Sequence, residues 1–170
     1  MSMSMVEASV ELFVPYLRNL SGLLDKAAAF AADRNVAPGD LLQARLAPDM
    51  FNLTRQVCEA SRHASVACAL LAGYAQPAVE ESTTDIAGLK TRIAAAIAYV
   101  EGLPREVIAA SGDREVVFTF RSGATRSFSG RSLLLTFSLP QFFFHVTTAY
   151  DILRHAGVPL AKPDYLGPPR

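Results

Sequence analysis

Apolar residues recur every three or four positions along most of this chain, the period of a helix with one face turned inward. From Ser4 to about Asp33 the repeat is Val6, Val10, Phe13, Leu17, Leu20, Leu24 and Ala28. It predicts a long first helix, kinked at Pro15, which has no N–H for the carbonyl of Glu11. Arg34 to Asp40 holds Asn35, Pro38 and Gly39 and reads as a loop, with a short helical turn following to Arg45. Pro48 to about Gly73 reads as the second long helix, with Leu53, Val57, Ala60, Ala64, Ala67 and Leu71 on its inner stripe. Beside that stripe Asp49, Gln56 and His63 recur every seven residues as a polar seam. Tyr74 to Thr84 is a connection, and Thr84 or Asp85 caps a third helix with Ile86, Leu89, Ile93, Ala96, Ile97 and Val100 facing inward. Gly102 and Pro104 interrupt it, and Arg105 to Ala110 adds a turn.

The period then changes. Glu115 to Arg121 and Thr125 to Phe128 flank Ser122-Gly123-Ala124, which predicts a β-hairpin over about residues 115–128. A lone hairpin is marginal in water, so this one is expected to rest on the helices or on a partner. Gly130 to Phe137 leads to the last helix, Leu139 to Gly157, with Ser138 as its N-cap, Pro140 in its first turn and Gly157 as a left-handed stop. At about 100° per residue, Phe142, Phe143, Val146, Ala149, Tyr150 and Leu153 fill one broad apolar arc. Gln141, His145, Thr148 and Ile152 form a stripe at its edge. The tail, residues 158–170, is proline-rich and is expected to lie over the surface without regular structure, clamped by an ion pair from Lys162 or Asp164. These elements predict a mainly α fold: an antiparallel four-helix bundle, one domain over residues 1–170, with a small β-hairpin inserted before the last helix.

Composition narrows the function classes. Hydrophobic residues make up 51% of 170 and charged residues 19%, enough for a real core. The formal net charge is zero, so no basic excess points to nucleic acid. No apolar stretch approaches the roughly 20 residues that cross a bilayer, and no leader pattern is visible, so a cytoplasmic protein is expected. Cys58 and Cys68 fall on one helix, about 15 Å apart, too far for a disulfide, and read as free buried thiols. There is no glycine-rich phosphate loop, no nucleophile elbow and no Cys-x-x-Cys pair.

Three strings carry a resemblance: Leu46-Ala-Pro-Asp-Met-Phe-Asn-Leu-Thr-Arg-Gln56, Phe144-His-Val-Thr-Thr-Ala-Tyr-Asp-Ile-Leu-Arg-His-Ala-Gly157 and Asp164-Tyr-Leu-Gly167. They resemble an uncharacterised bacterial and fungal family, a domain of unknown function grouped with the DinB-like (YfiT-like) helical bundles. The resemblance implies a four-helix bundle with one long crossover, often a homodimer, and a pocket between helices. Many DinB-like bundles hold a divalent metal through one histidine of the second helix and a His-x-x-x-His pair of the fourth, and some use it to activate a thiol cofactor for transfer. Aligned on Arg154 to Gly157, that pair falls at Gln141 and His145, and Gln56 lies at about the depth of the second-helix histidine. Glutamine is a poor ligand for zinc or nickel, so a divalent-metal cofactor is disfavoured and no metal ligand is assigned.

The two polar seams sit beside apolar stripes that must face each other. That places Asp49, Gln56, Gln141, His145 and Thr148 in one candidate ligand pocket between the second and fourth helices. A small-molecule-binding bundle is the leading expectation. A metal-dependent thiol transferase with a degenerate site and a non-catalytic homodimeric interaction protein are the alternatives. No catalytic residue is assigned. His145 is expected to face inward toward Gln56, whereas His63, between Glu59 and Arg62, is expected on the surface seam.

Overall fold

The computed structural model describes residues 3–78, 83 and 85–168. Thr84, one of the two expected caps, lies outside them, as does the middle of the expected connection, residues 79–82. Four long helices form the body: α1 (Val10–Arg34), α3 (Leu53–Leu71), α4 (Ile86–Glu101) and α7 (Leu139–His155). Between them lie α2 (Pro38–Gln43), α5 (Arg105–Ala109), the hairpin β1 (Glu115–Thr119) and β2 (Thr125–Ser129), α6 (Gly130–Ser132), a π-helical segment (Leu133–Ser138) and, after α7, α8 (Lys162–Leu166). No helix among the described residues is long and apolar enough to cross a membrane.

α3 is the hub, packed between α7 and α4, with α1 closing against α4 and α7. The main core joins Phe13, Leu17, Leu20 and Leu24 of α1 to Leu53, Val57 and Ala64 of α3, Leu89 and Ile93 of α4, and Phe142, Val146 and Leu153 of α7. Each large side chain so buried contributes roughly 1.5–3 kcal/mol. A second, smaller core seats the hairpin: Val116, Phe118 and Phe128 pack on Val66 and Leu70 of α3, with Leu133. The strands are antiparallel, with Val116 opposite Phe128 and Thr119 opposite Thr125. The same hairpin that is marginal alone therefore gains an apolar seat on the bundle.

Four local expectations change. α1 begins at Val10 rather than Ser4, because the preceding residues wind in turns in which the Ser9 hydroxyl donates to the Met5 carbonyl (2.6 Å). α3 begins at Leu53 rather than Pro48: the Asn52 side chain accepts from the Arg55 N–H (3.0 Å), a side-chain cap that Pro48 cannot provide. Ser138 is not a cap at all. It lies in helical conformation, and α6, the π segment and α7 run on as one rod, with the Leu139 N–H bonded to the Leu134 carbonyl. Pro140 has no N–H to give, and the π turn that precedes it is where the rod absorbs that loss. The tail does hold a short helix, α8. Asp164 clamps it to the bundle as expected, pairing with Lys26 of α1 (2.8 Å), and Asn19 donates a hydrogen bond to the Tyr165 carbonyl (2.9 Å). The expected stop at Gly157 is in place at φ +93°, with Gly157 and Val158 N–H groups returning to the Arg154 and Leu153 carbonyls.

Candidate functional site

The polar residues of α3 form a ridge at helical spacing: Arg55, Gln56, Glu59, Arg62 and His63. On most helices such a row would meet water. α3 has neighbours on both sides, so Gln56, Glu59 and His63 are all buried, at 1%, 4% and 3% exposure.

On the α7 side the centre is His145, 5% exposed. The Gln56 amide donates from Nε2 to the Phe51 carbonyl (3.2 Å), which turns its oxygen toward His145. Oε1 accepts from His145 Nδ1–H at 2.7 Å, so the neutral ring keeps its lone pair on Nε2. The imidazole of His63 stacks on that of His145, with centroids 5.6 Å apart and planes 16° from parallel. Phe51 stacks on His145 as well, at 6.3 Å, and Phe144 meets it edge-on at 5.4 Å. His63 was expected at the surface. It is buried because its heptad partner Gln56 shares the α7-facing side, and its Nδ1 is buried without a hydrogen-bond partner. Burial, reinforced by His145 and Arg62, pulls the His63 pKa down to about 3. Burial also lowers that of His145, against the pull of Glu59.

On the other side Glu59 gathers three guanidinium groups. Arg121, from the hairpin turn after β1, donates to Oε1 at 2.6 Å, Arg55 Nε lies 2.9 Å from the same oxygen, and Arg62 reaches Oε2 at 3.6 Å. Burial opposes ionisation of Glu59, but Arg121, Arg55 and Arg62 together outweigh it and hold its pKa below the usual carboxylate value. Beyond this cluster opens a cavity of about 980 Å³ between α3 and α4. Arg55, Cys58, Arg62, Val66, Ala95, Tyr99 and Arg121 are among its walls. Burial pushes the Cys58 thiol up despite Arg92 and Arg55, so it stays protonated near neutral pH and is no activated nucleophile.

Glu59, His63 and His145 each offer a ligand atom, all within 4.8 Å of one another. The donor types and the orphaned His63 nitrogen suit a divalent ion of the kind the resemblance implies. The spacing and the field do not. Tetrahedral zinc, with bonds of about 2.0–2.1 Å, needs ligand atoms about 3.3 Å apart. Three guanidiniums against one carboxylate leave a surplus of two positive charges. The Glu59 carboxylate is already shared among those three guanidiniums, so a dication there would meet like charge around its one anionic ligand. The set does not fit the implied metal, and no chemistry is assigned through one.

Of the five expected pocket residues, the structure joins Gln56 and His145 directly. Thr148 is buried one turn beyond His145 on α7, and Gln141 is half-buried one turn before it. Asp49 is exposed on the turn ahead of α3, because the helix starts at Leu53, so it is neither a helix-end charge nor an acid facing His145. None of the five lines the α3–α4 cavity.

A crystal structure of a DinB family member protein from Shewanella denitrificans, at 1.83 Å resolution, is 37% identical to this chain. It superposes with a TM-score of 0.87 over 96% of this chain and 92% of its own. No curated protein matches the sequence. Residues 5–166 match the family described as "Domain of unknown function (DUF1993)", and with a mainly helical, DinB-like fold this chain belongs to that family.

Proposed function

We propose that the protein binds a small organic molecule, and that the binding site is the cavity between α3 and α4 rather than the seam beside His145. The observation that carries this reading is the cavity itself. At about 980 Å³ it lies within the range of small-molecule sites, roughly 300–1,000 Å³, and its walls mix apolar groups with arginines and hydroxyls. The Gln56–His145 hydrogen bond, with His63 stacked behind it, holds α3 against α7, and the adjoining face of α3 presents its arginines around Glu59.

A fragment screen by amide chemical shifts tests this. Binders are expected to perturb Ser61, Ser65 and Ala96 along the cavity. They should lose their effect in Ala95→Trp, where a bulky ring fills the cavity from an exposed wall position. Fragments that perturb only the Phe51 and His145 region, with Ala95→Trp indistinguishable from wild type, would return the site to the α3–α7 seam.

A second reading, a homodimer, is favoured by two exposed aromatic side chains that flank His145: Phe51 at 48% and Phe144 at 55% exposure. It is compatible with the first, since neither residue lines the cavity.

A further inference from the structure

We propose that the α3–α4 cavity takes an organic dianion of the phosphate monoester class, with the charged head on Arg62, Arg121 and Arg55 and an apolar or aromatic body against Tyr99 and Val66. This rests on the binding reading above and names the ligand's chemistry.

Three observations carry it. The first is charge. Arg55, Arg62 and Arg121 all converge on the single carboxylate of Glu59, and no carboxylate stands among the described residues lining the cavity. Three positive charges meet one negative at Glu59, and Arg92 lines the same cavity; this excess of positive charge around Glu59 suits a dianion such as a phosphate monoester above its second pKa of about 6. The second is unused bonding capacity. Each guanidinium carries five donors in a planar fork, while one carboxylate offers about four lone-pair sites. Arg62 is the least satisfied: its side chain is 14% exposed, its contact to Glu59 is a long 3.6 Å, and its Nε is buried with no hydrogen-bond partner. Its guanidinium carbon lies over the Phe118 ring at 5.6 Å, and the residue lines the cavity. Paired donors of this kind suit phosphate oxygens better than a point charge would. The third is shape. A cavity of about 980 Å³ is far larger than an inorganic anion needs, and Val66, Ala95, Ala96 and Tyr99 supply an apolar part of its wall. Hydroxyls of Ser61 and Ser65 lie on the same lining.

The test uses the full chain at low ionic strength, with phenyl phosphate, inorganic phosphate and benzyl alcohol as probes, read by calorimetric titration and thermal melting. Phenyl phosphate is expected to bind and raise the melting temperature, inorganic phosphate to bind at least about tenfold more weakly, and benzyl alcohol not to bind. Arg62→Gln and Arg121→Gln should each weaken phenyl phosphate by about tenfold or more, the loss of one charge-assisted contact. Arg121, 43% exposed, is the variant least able to disturb folding and carries the test if Arg62→Gln does not fold. Ala95→Trp should abolish binding with the arginines intact. Unchanged phenyl phosphate affinity in Arg121→Gln and Ala95→Trp would overturn the proposal. Equal binding of inorganic phosphate would overturn the organic body. Binding of benzyl alcohol with phenyl phosphate silent would remove the anion but keep the binding reading, and no binding by any probe would remove both.

Discussion

A buried neutral imidazole ties stability to pH in one direction. His63 keeps its proton off until about pH 3 in the folded chain, whereas an unfolded histidine takes it up near 6.5. Between those values the unfolded state binds more protons, so stability falls as pH falls, by up to about 1.4 kcal/mol per pH unit for this one group. His145, also depressed, adds in the same sense. Urea unfolding at pH 7, 6 and 5 should show the loss in wild type and a shallower one in His63→Gln; parallel slopes would mean that the ring at 63 titrates alike in both states. The burial behind this was only half legible in the sequence. The seven-residue step from Gln56 to His63 does place both against α7. Glu59 and Arg62 made the position look solvated, yet they are the interior charges themselves. The warning was the run Ala64 to Leu71, apolar apart from Ser65, which marks α3 as a helix buried over most of its circumference.

At the scale of elements, the hairpin is placed by one close approach. A Cβ on Gly130 would stand 2.2 Å from the Ser111 carbonyl oxygen, and the Gly130 and Arg131 N–H groups bond back to the Arg114 and Gly112 carbonyls. Gly130→Ala should therefore push β2 off its seat and lower stability by about 1–3 kcal/mol in chemical denaturation. Gly39→Ala, in α2 where an added Cβ meets nothing within 4 Å, should be neutral or stabilising by about 0.5–1 kcal/mol. Equal effects would mean that the Ser111 approach does not locate the hairpin. Because the hairpin turn delivers Arg121 to Glu59, the glycine variant should also disturb the arginine cluster. The period-two pattern predicted both strands within a residue or two. The start of α7 differs from expectation for a physical reason: a serine two residues before a proline is a helix-entry signal, and the same spacing occurs where a rod crosses a π turn without stopping.

At the scale of the molecule, the helical repeats and Gly157 are sufficient to predict four long helices, but not which side of α3 holds the open space. That depends on how α4 and the hairpin loop stand off from it, a property of packing that no single helix pattern encodes. The aromatic run 142–144 shows the same limit. Phe142 is fully buried against Phe13, Phe143 is half-buried beside Tyr16, and Phe144 points out at 55% exposure. The Phe51 ring carries the Arg55 guanidinium on its face at 5.1 Å, so a second copy seated on Phe51 and Phe144 would border the arginine cluster. A stable dimer needs a shared surface of at least about 1,000 Å², well beyond two rings, so these two residues would form its centre rather than its whole extent. Light scattering at tens of micromolar is expected to give twice the chain mass for wild type and the chain mass for Phe144→Ser. Since Phe144 is already exposed in the single chain, dilute Phe144→Ser should melt within a few degrees of dilute wild type. A wild-type mass of one chain across that range would sink the dimer and leave the two rings as ordinary surface side chains, while phosphate binding behind α3 would stand or fall on its own measurement.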